Sequence, residues 1–493
     1  MIGPTDPVVD DGPASQSRRF AGNAFWLLFG QAAGKVAGFA FIVIVARGLG
    51  AREYGQFSFA LSFVALFLLA GSNTIELSVI RDVGRDRARL SAVFSSGLVL
   101  RTALALVALG LAVAIAPFVT HGGRNVLIVA IVGAAAWLDE LSTYLGSVYK
   151  AFERTALHGA AIAANRVLSA VLALVAIALG GDVVAVSCAY LLGSFGAVAF
   201  SWIGLRRYFP PIRFRELRRE VVRELFREGL PLAFAGVFNS ALFRIDVVLL
   251  QILKGPLAVG FYGIAYRFFD SFLFVSWSLA DITLPRISRA GPGPEAGRTF
   301  QLGVSLMLAF SLPLAVVAPF ASEWLVTRLF GGAFRPASSA VPWLAPAVCL
   351  YGIAYAARVT LVALGRRQAI VAVAAGTLAL NVTANLIIIP VHGFRGAAAA
   401  TCLSEALEAA LLVTFLARTN GGLHLRRLTP VPLTAGVVTL LVLLTIGARD
   451  ATAVAAGLAS YVVALPLAGR LIAPDECRWA LHLLRRRAVE VPT

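Results

Sequence analysis

Apolar runs of about twenty residues recur from residue 23 to residue 472, each long enough to cross roughly 30 Å of hydrocarbon as a helix. Nothing else in the sequence limits the possible folds as much. An open strand edge in lipid leaves backbone groups unsatisfied, so every run is expected to be helical. Fourteen spans are predicted: 23–46, 57–80, 94–118, 126–148, 160–179, 183–204, 229–253, 258–283, 299–319, 339–364, 368–389, 397–417, 431–448 and 451–472. Composition agrees, since 59% of the 493 residues are hydrophobic and only 14% charged, against about 25% charged in a soluble domain. A soluble enzyme, a disordered chain and a fibrous chain are excluded. The expected fold is an all-α polytopic membrane protein.

The formal net charge is +17, yet the basic residues sit in short loops between apolar runs and build no basic domain, so no nucleic-acid partner is expected. Their placement instead orients the chain. With the N-terminus inside, the cytoplasmic segments hold 28 basic residues and the outside loops 8. Both termini are therefore expected in the cytoplasm. The four cysteines form no CxxC, and the five histidines no HExxH site, so no metal or other cofactor is implied. GQAAGKV (30–36) faintly echoes a P-loop, but Phe29 stands where its first glycine belongs. The longest outside loop, 320–338, leaves no room for a catalytic domain, and the chain is not expected to be an enzyme.

The spans divide into a polar, disordered tail (1–17), a first six-helix lobe (18–205), a cytoplasmic linker (206–228), a second six-helix lobe (229–420), two additional helices (421–472) and a basic tail (473–493). In the linker Phe214, Leu217, Val221 and Leu225 follow helical spacing, the pattern of a helix lying in the membrane interface; a solvated basic linker fits nearly as well. A weak repeat supports two lobes. ARGLGAREYGQFSFALSF (46–63) and LQILKGPLAVGFYGIAYRFFDSF (250–272) occupy matching places, with Tyr54-Gly55 and Tyr262-Gly263 as equivalent points 208 residues apart. Two repeated bundles with a ligand site between them near the midplane are a common transporter plan.

Charges inside spans cost a few kcal/mol or more at mid-bilayer and are tolerated facing a polar cavity or a partner. Arg101, Arg166, Arg358 and Arg470 lie near cytoplasmic span ends, where snorkelling explains them. Lys35, Arg244 and Arg267 lie too deep for that and are expected to face a polar cavity, the alternative being a buried structural ion pair. Acids accompany them: Asp246 near Arg244, and Asp270 at i+3 from Arg267, on the same helix face. Asp139 and Glu140 are deep in span 4 but about 100° apart. Glu405 and Glu408 share a face of span 12, and two carboxylates that close in low dielectric make one of them a proton-carrier candidate; hydrogen bonding to a neighbouring helix fits slightly better. Asp139, Asp246, Asp270, Glu405 and Glu408 are thus the candidate ion-coupling groups.

GNAFWLLFGQAAGKVAGFAFIVIVARGLGAREYGQFSFALSF (22–63), with its ARGLG-x3-YG-x-F, and NLIIIPVHGFRGAAAATCLSEAL (385–407) resemble the polysaccharide-transporter (O-antigen flippase) family of the multidrug/oligosaccharidyl-lipid/polysaccharide exporter superfamily. The resemblance covers roughly residues 20–420. It implies alternating access of two six-helix lobes, undecaprenyl-diphosphate-linked oligosaccharide as substrate, and a central cavity mainly between spans 1, 2, 7 and 8. Lys35, Arg244 and Arg267 fall on three of those four. Membrane lipid and polysaccharide polymerase machinery are the expected partners; since flipping needs a driving force and no nucleotide site is present, either a counter-ion gradient (H+ or Na+) or onward consumption of the product is expected to supply it. Buried cations offset the desolvation of a diphosphate. Two rival readings stay open: a cation/drug antiporter of the same superfamily, which a basic cavity suits poorly, and a membrane glycan polymerase or ligase, which usually needs a large outside loop.

Overall fold

The computed structural model describes residues 13–68, 72–120, 122–419 and 429–475. Among them there is no strand. Thirteen α-helices follow one another: α1 Pro13–Leu68, α2 Ser72–Arg85, α3 Leu90–Val119, α4 Gly123–Ala151, α5 Thr155–Ala178, α6 Val183–Tyr208, α7 Arg219–Lys254, α8 Pro256–Ala290, α9 Pro294–Phe330, α10 Val341–Ala363, α11 Arg367–Thr419, α12 Pro430–Ile446 and α13 Ala451–Ile472. Among the described residues every predicted span falls on helix for nearly all of its length. Among the described residues nine stretches are long and apolar enough to cross a membrane. Two of those, in α1 and α11, carry a pair of spans each, fused across Gly50 and Gly393. Adding the shorter α12 and the more charged α7 and α8 gives about fourteen crossings. The chain is an all-α multi-pass membrane protein. Residues 1–12 of the expected tail and 476–493 of the basic tail lie outside the described residues, and α1 starts at Pro13, inside the segment expected as tail.

The predicted outside connections turn on glycines with positive φ: Gly50, Gly122, Gly180, Gly255, Gly331, Gly393 and Gly447. Two of them fix the internal repeat. Gly50 has φ 74°, ψ 176° and Gly255 has φ 79°, ψ −176°, a region essentially closed to residues with a Cβ. Pairing these corners sets the repeat at 205 residues rather than 208, and corrects the Tyr54/Tyr262 match. Burial follows the corrected register, since residues 52–60 and 257–265 are buried and exposed in the same order. Tyr54-Gly55 thus answers to Val259-Gly260. A recurring Tyr-Gly pair was a weaker guide than the backbone's need for glycine at the corner.

The linker also differs from expectation. Instead of one interfacial helix over 206–228, α6 runs to Tyr208, Phe214–Glu216 form a single 3₁₀ turn, and α7 starts at Arg219 and continues through the predicted span 7. Pro210 and Pro211 explain the break, because proline removes a helical donor and disfavours helix in the residue before it. Ser91 and Ser96 of α3 pin the segment, accepting from the backbone N–H of Arg213 (3.1 Å) and Arg218 (3.2 Å). Leu225 is buried with Val79, Val83 and Val93, and Phe214 stacks 6.1 Å from Trp202.

By contacts the chain divides at Ile252/Leu253 into two compact units. In the first, α1 lies along α5, α4 and α5 pack on α6, and α3 packs on α4. Small residues bring these backbones together, as is usual between membrane helices: a Cβ on Gly193 of α6 would stand 3.0 Å from the Ser169 Cα of α5. In the second unit α10 is central, packed by α8, α9 and α11, while α12 and α13 pair and lie against α9.

Candidate functional site

In the first unit the helical step between Asp139 and Glu140 sends the two carboxylates to different neighbours. Asp139 accepts hydrogen bonds from Asn165 Nδ2 of α5 (2.7 Å) and the Tyr190 hydroxyl of α6 (2.7 Å), and the Arg166 guanidinium stands 3.8 Å away. Ser169 extends the network by donating to Asn165 Oδ1 at 3.3 Å. Glu140 instead accepts from Arg101 of α3, whose guanidinium lies 5.5 Å over the Tyr144 ring. Glu76 is buried and takes Lys150 Nζ at 2.6 Å.

In the second unit Arg358 of α10 donates to Glu408 of α11 and lies 5.7 Å over the Tyr355 ring. Glu405 is 5% and Glu408 2% exposed, and the Oε2 atom of each is buried without a hydrogen-bond partner. The neighbouring Tyr351 hydroxyl accepts from Trp277 Nε1 of α8 at 3.0 Å. Further along, Asn381 donates to Ser404 (3.0 Å) and Tyr262 meets the Thr401 hydroxyl (3.0 Å). Thr377, Asn381 and Asn385 therefore line one half of α11, and Thr401, Ser404, Glu405 and Glu408 the other, each at helical spacing. On α8, Arg267 and Asp270 form the expected pair at 3.2 Å.

The snorkelling reading fails for three of its four arginines. Arg101, Arg166 and Arg358 turn inward to Glu140, Asp139 and Glu408, because an available carboxylate competes better for a guanidinium than a route to the interface. Arg470 is exposed. Of the deep cations, Lys35 is exposed on α1, 100° round from Gly34, where a Cβ would meet Ile162 at 2.9 Å. Arg244 is half-buried on α7, and among the described residues it has no ion pair or hydrogen bond. Asp246, two positions on and so on another face, is buried and accepts from the Val247 N–H at 2.7 Å. Lys35, Arg244 and Asp246 belong to the first unit, Arg267 and Asp270 to the second. Sequence reasoning missed Asn165, Arg166, Tyr190 and Arg358 as members of charged networks; the polar Asn165-Arg166 pair within an apolar run was the available signal.

At the predicted outer end of the first unit Arg124 bridges Glu53 (3.3 Å) and Asp182 (2.6 Å). Asp182 caps α6 by accepting from Ala185 N (3.1 Å) and Val184 N (2.9 Å). These backbone bonds, with Arg124 adding to them, hold its carboxyl below the usual carboxylate range.

Helical bundles with paired charges between their helices define a polytopic membrane protein. The chain belongs to the polysaccharide biosynthesis protein family, whose sequence profile matches residues 20–290, more than half of its length. Its fold is similar to that of the lipid II flippase MurJ in an inward closed conformation (TM-score 0.72, 13% identity, 90% of this chain and 98% of that one). It is also similar to an inward-facing multidrug resistance MATE family transporter of the MOP superfamily (TM-score 0.64, 16% identity, 79% and 95%). A third similar structure is a MOP superfamily transporter from Pyrococcus furiosus (TM-score 0.57, 16% identity, 83% and 96%), described as having a binding pocket of reversed polarity. No curated protein matches in sequence.

Proposed function

We propose that this protein flips an undecaprenyl-diphosphate-linked oligosaccharide across the plasma membrane for polysaccharide synthesis. The two six-helix lobes (18–205 and 229–420) would alternate access, with Lys35, Arg244 and Arg267 meeting the diphosphate. The observation that carries this reading is Arg244: a half-buried guanidinium inside the predicted seventh span, ion-paired to none of the described carboxylates, and about 14 Å along α7 from the predicted outer end of that span. An unneutralised cation there attracts an anionic head group and repels a cationic drug. The fold shared with a lipid II flippase supports a lipid-linked substrate; the fold shared with multidrug transporters keeps the antiporter as the second reading. A counter-ion, taken up at Asp139, Asp246, Asp270 or the Glu405–Glu408 pair, and contact with a polymerase complete the proposal. Both termini lie in the cytoplasm on this reading.

The test is reconstitution. Proteoliposomes containing the purified protein should move a fluorescent lipid-diphosphate oligosaccharide between leaflets. Arg244→Ala should lower the rate at least tenfold with protein level unchanged, and Arg244→Lys should fall between, since charge survives without the guanidinium fork. Full activity in Arg244→Ala, or export of organic cations in place of the lipid, would overturn the proposal.

A further inference from the structure

We infer that Glu405, Glu408 and Arg358 form a proton-binding site inside the second unit, in which the two carboxyls hold one exchangeable proton between them. Glu405 lies twelve residues beyond the Gly393 corner and fourteen before Thr419, so about 18 Å of helix separates it from the first and about 21 Å from the second. Glu405 and Glu408 are at i and i+3 and share a face. Both are almost fully buried. Arg358 donates to one oxygen of Glu408 and also acts on Glu405 through its field. The site therefore holds two carboxyls for one guanidinium, an imbalance of one negative charge in a dry interior.

The orphaned oxygens show what is missing. The Oε2 atoms of both glutamates are buried and lack a donor. One proton corrects both deficits: it neutralises the excess charge, and the resulting hydroxyl donates to a neighbouring carboxylate oxygen. The remaining groups facing the pair are Tyr351 and Tyr355 of α10 and Cys402 on α11 itself, while Trp277 of α8 already donates to Tyr351. None of them brings a second positive charge. Sodium suits the site less well, because Arg358 already occupies the cationic position beside Glu408, and among the described residues no group of three or more His, Cys, Asp or Glu side chains could hold a metal ion. The step is the making and breaking of one O–H bond, with the proton drawn from and returned to water. Its coupling to flipping rests on the function proposed above; the proton itself does not.

Infrared spectroscopy of the full-length protein in lipid reads the C=O stretch of a protonated carboxyl directly. Wild type should show one such band at neutral pH, lost on alkalinisation. Glu405→Gln and Glu408→Gln should each abolish it, since the surviving carboxylate then pairs with Arg358 alone. Arg358→Gln should double it. Glu405→Asp, which keeps the acid, should restore it and controls for folding. Absence of the band in wild type, its persistence in both Gln variants, or its removal by sodium at constant pH would each overturn the site. In proteoliposomes an imposed pH gradient should speed flipping in wild type and lose that effect in Glu405→Gln; an equal response in both would overturn the coupling. Proteoliposomes that flip no lipid-linked oligosaccharide, with the band intact, would sink the flippase reading and leave the proton site standing.

Discussion

Arg358 and Arg470 both lie within about two helical turns of a predicted cytoplasmic span end, yet their surroundings differ completely. Removing Arg358 strands a carboxylate that is 2% exposed, and breaking a buried pair in this way costs about 3–5 kcal/mol. Arg470 is exposed, and its loss should stay within about 0.5 kcal/mol. Thermal unfolding of Arg358→Ala and Arg470→Ala in detergent should therefore show a large drop for the first and almost none for the second; equal shifts would contradict the inward placement. Distance from a span end left both within reach of the interface, because depth says how far a side chain must reach and not which partner lies nearer. The Arg267–Asp270 pair was legible, since both members sit on one helix face. Arg358–Glu408 joins helices fifty residues apart in sequence and was not. At the Asp182 cap the sign of the pH dependence follows from its depressed carboxyl. The stability it contributes is present above the unfolded value of about 4 and is lost as pH falls through the lower folded value. Asp182→Ala should thus cost about 1 kcal/mol at neutral pH, and the gap from wild type should close in strong acid.

At the scale of helices, the two corner glycines allow a test free of packing. No atom lies within 4 Å of a Cβ built on Gly50 or Gly255, so alanine there meets only backbone strain, about 1–3 kcal/mol. Gly110, inside α3 and equally open, has ordinary helical backbone, so Gly110→Ala should be neutral or stabilising by up to about 1 kcal/mol. Melting temperatures of the three variants check this; a penalty at Gly110 matching that at Gly50 would mean that crowding, not φ, governs the corners. Helix existence was readable from hydropathy almost throughout. Two features were not: the repeat register, for which a chance Tyr-Gly match outweighed the glycine corner, and the linker, where helical spacing at Phe214, Leu217, Val221 and Leu225 concealed the break at Pro210-Pro211.

For the whole molecule the first question is orientation. Single cysteines at Arg215 and at Ser338, in a variant lacking the native four, should label with a membrane-impermeant thiol reagent from opposite sides of intact cells, Ser338 from outside. Labelling of both from outside would refute the positive-inside assignment. The number of crossings could be read from the sequence because it depends on length and polarity alone. The charged networks could not, because which bundle faces meet depends on small residues such as Gly193 and Gly34, whose packing partners hydropathy does not name.

The polar faces of α11 bear on how the chain enters the membrane during synthesis. Its second half carries Glu405 and Glu408 near the middle, and each such charge weighs against insertion by a few kcal/mol. Its first half presents Asn381 and Asn385, whose partners include Ser404 across the Gly393 corner. Neither half is a good solitary passenger for the insertion machinery. They are better suited to leave it together, as a preformed hairpin, with Arg358 already in the bilayer ahead of them to receive Glu408.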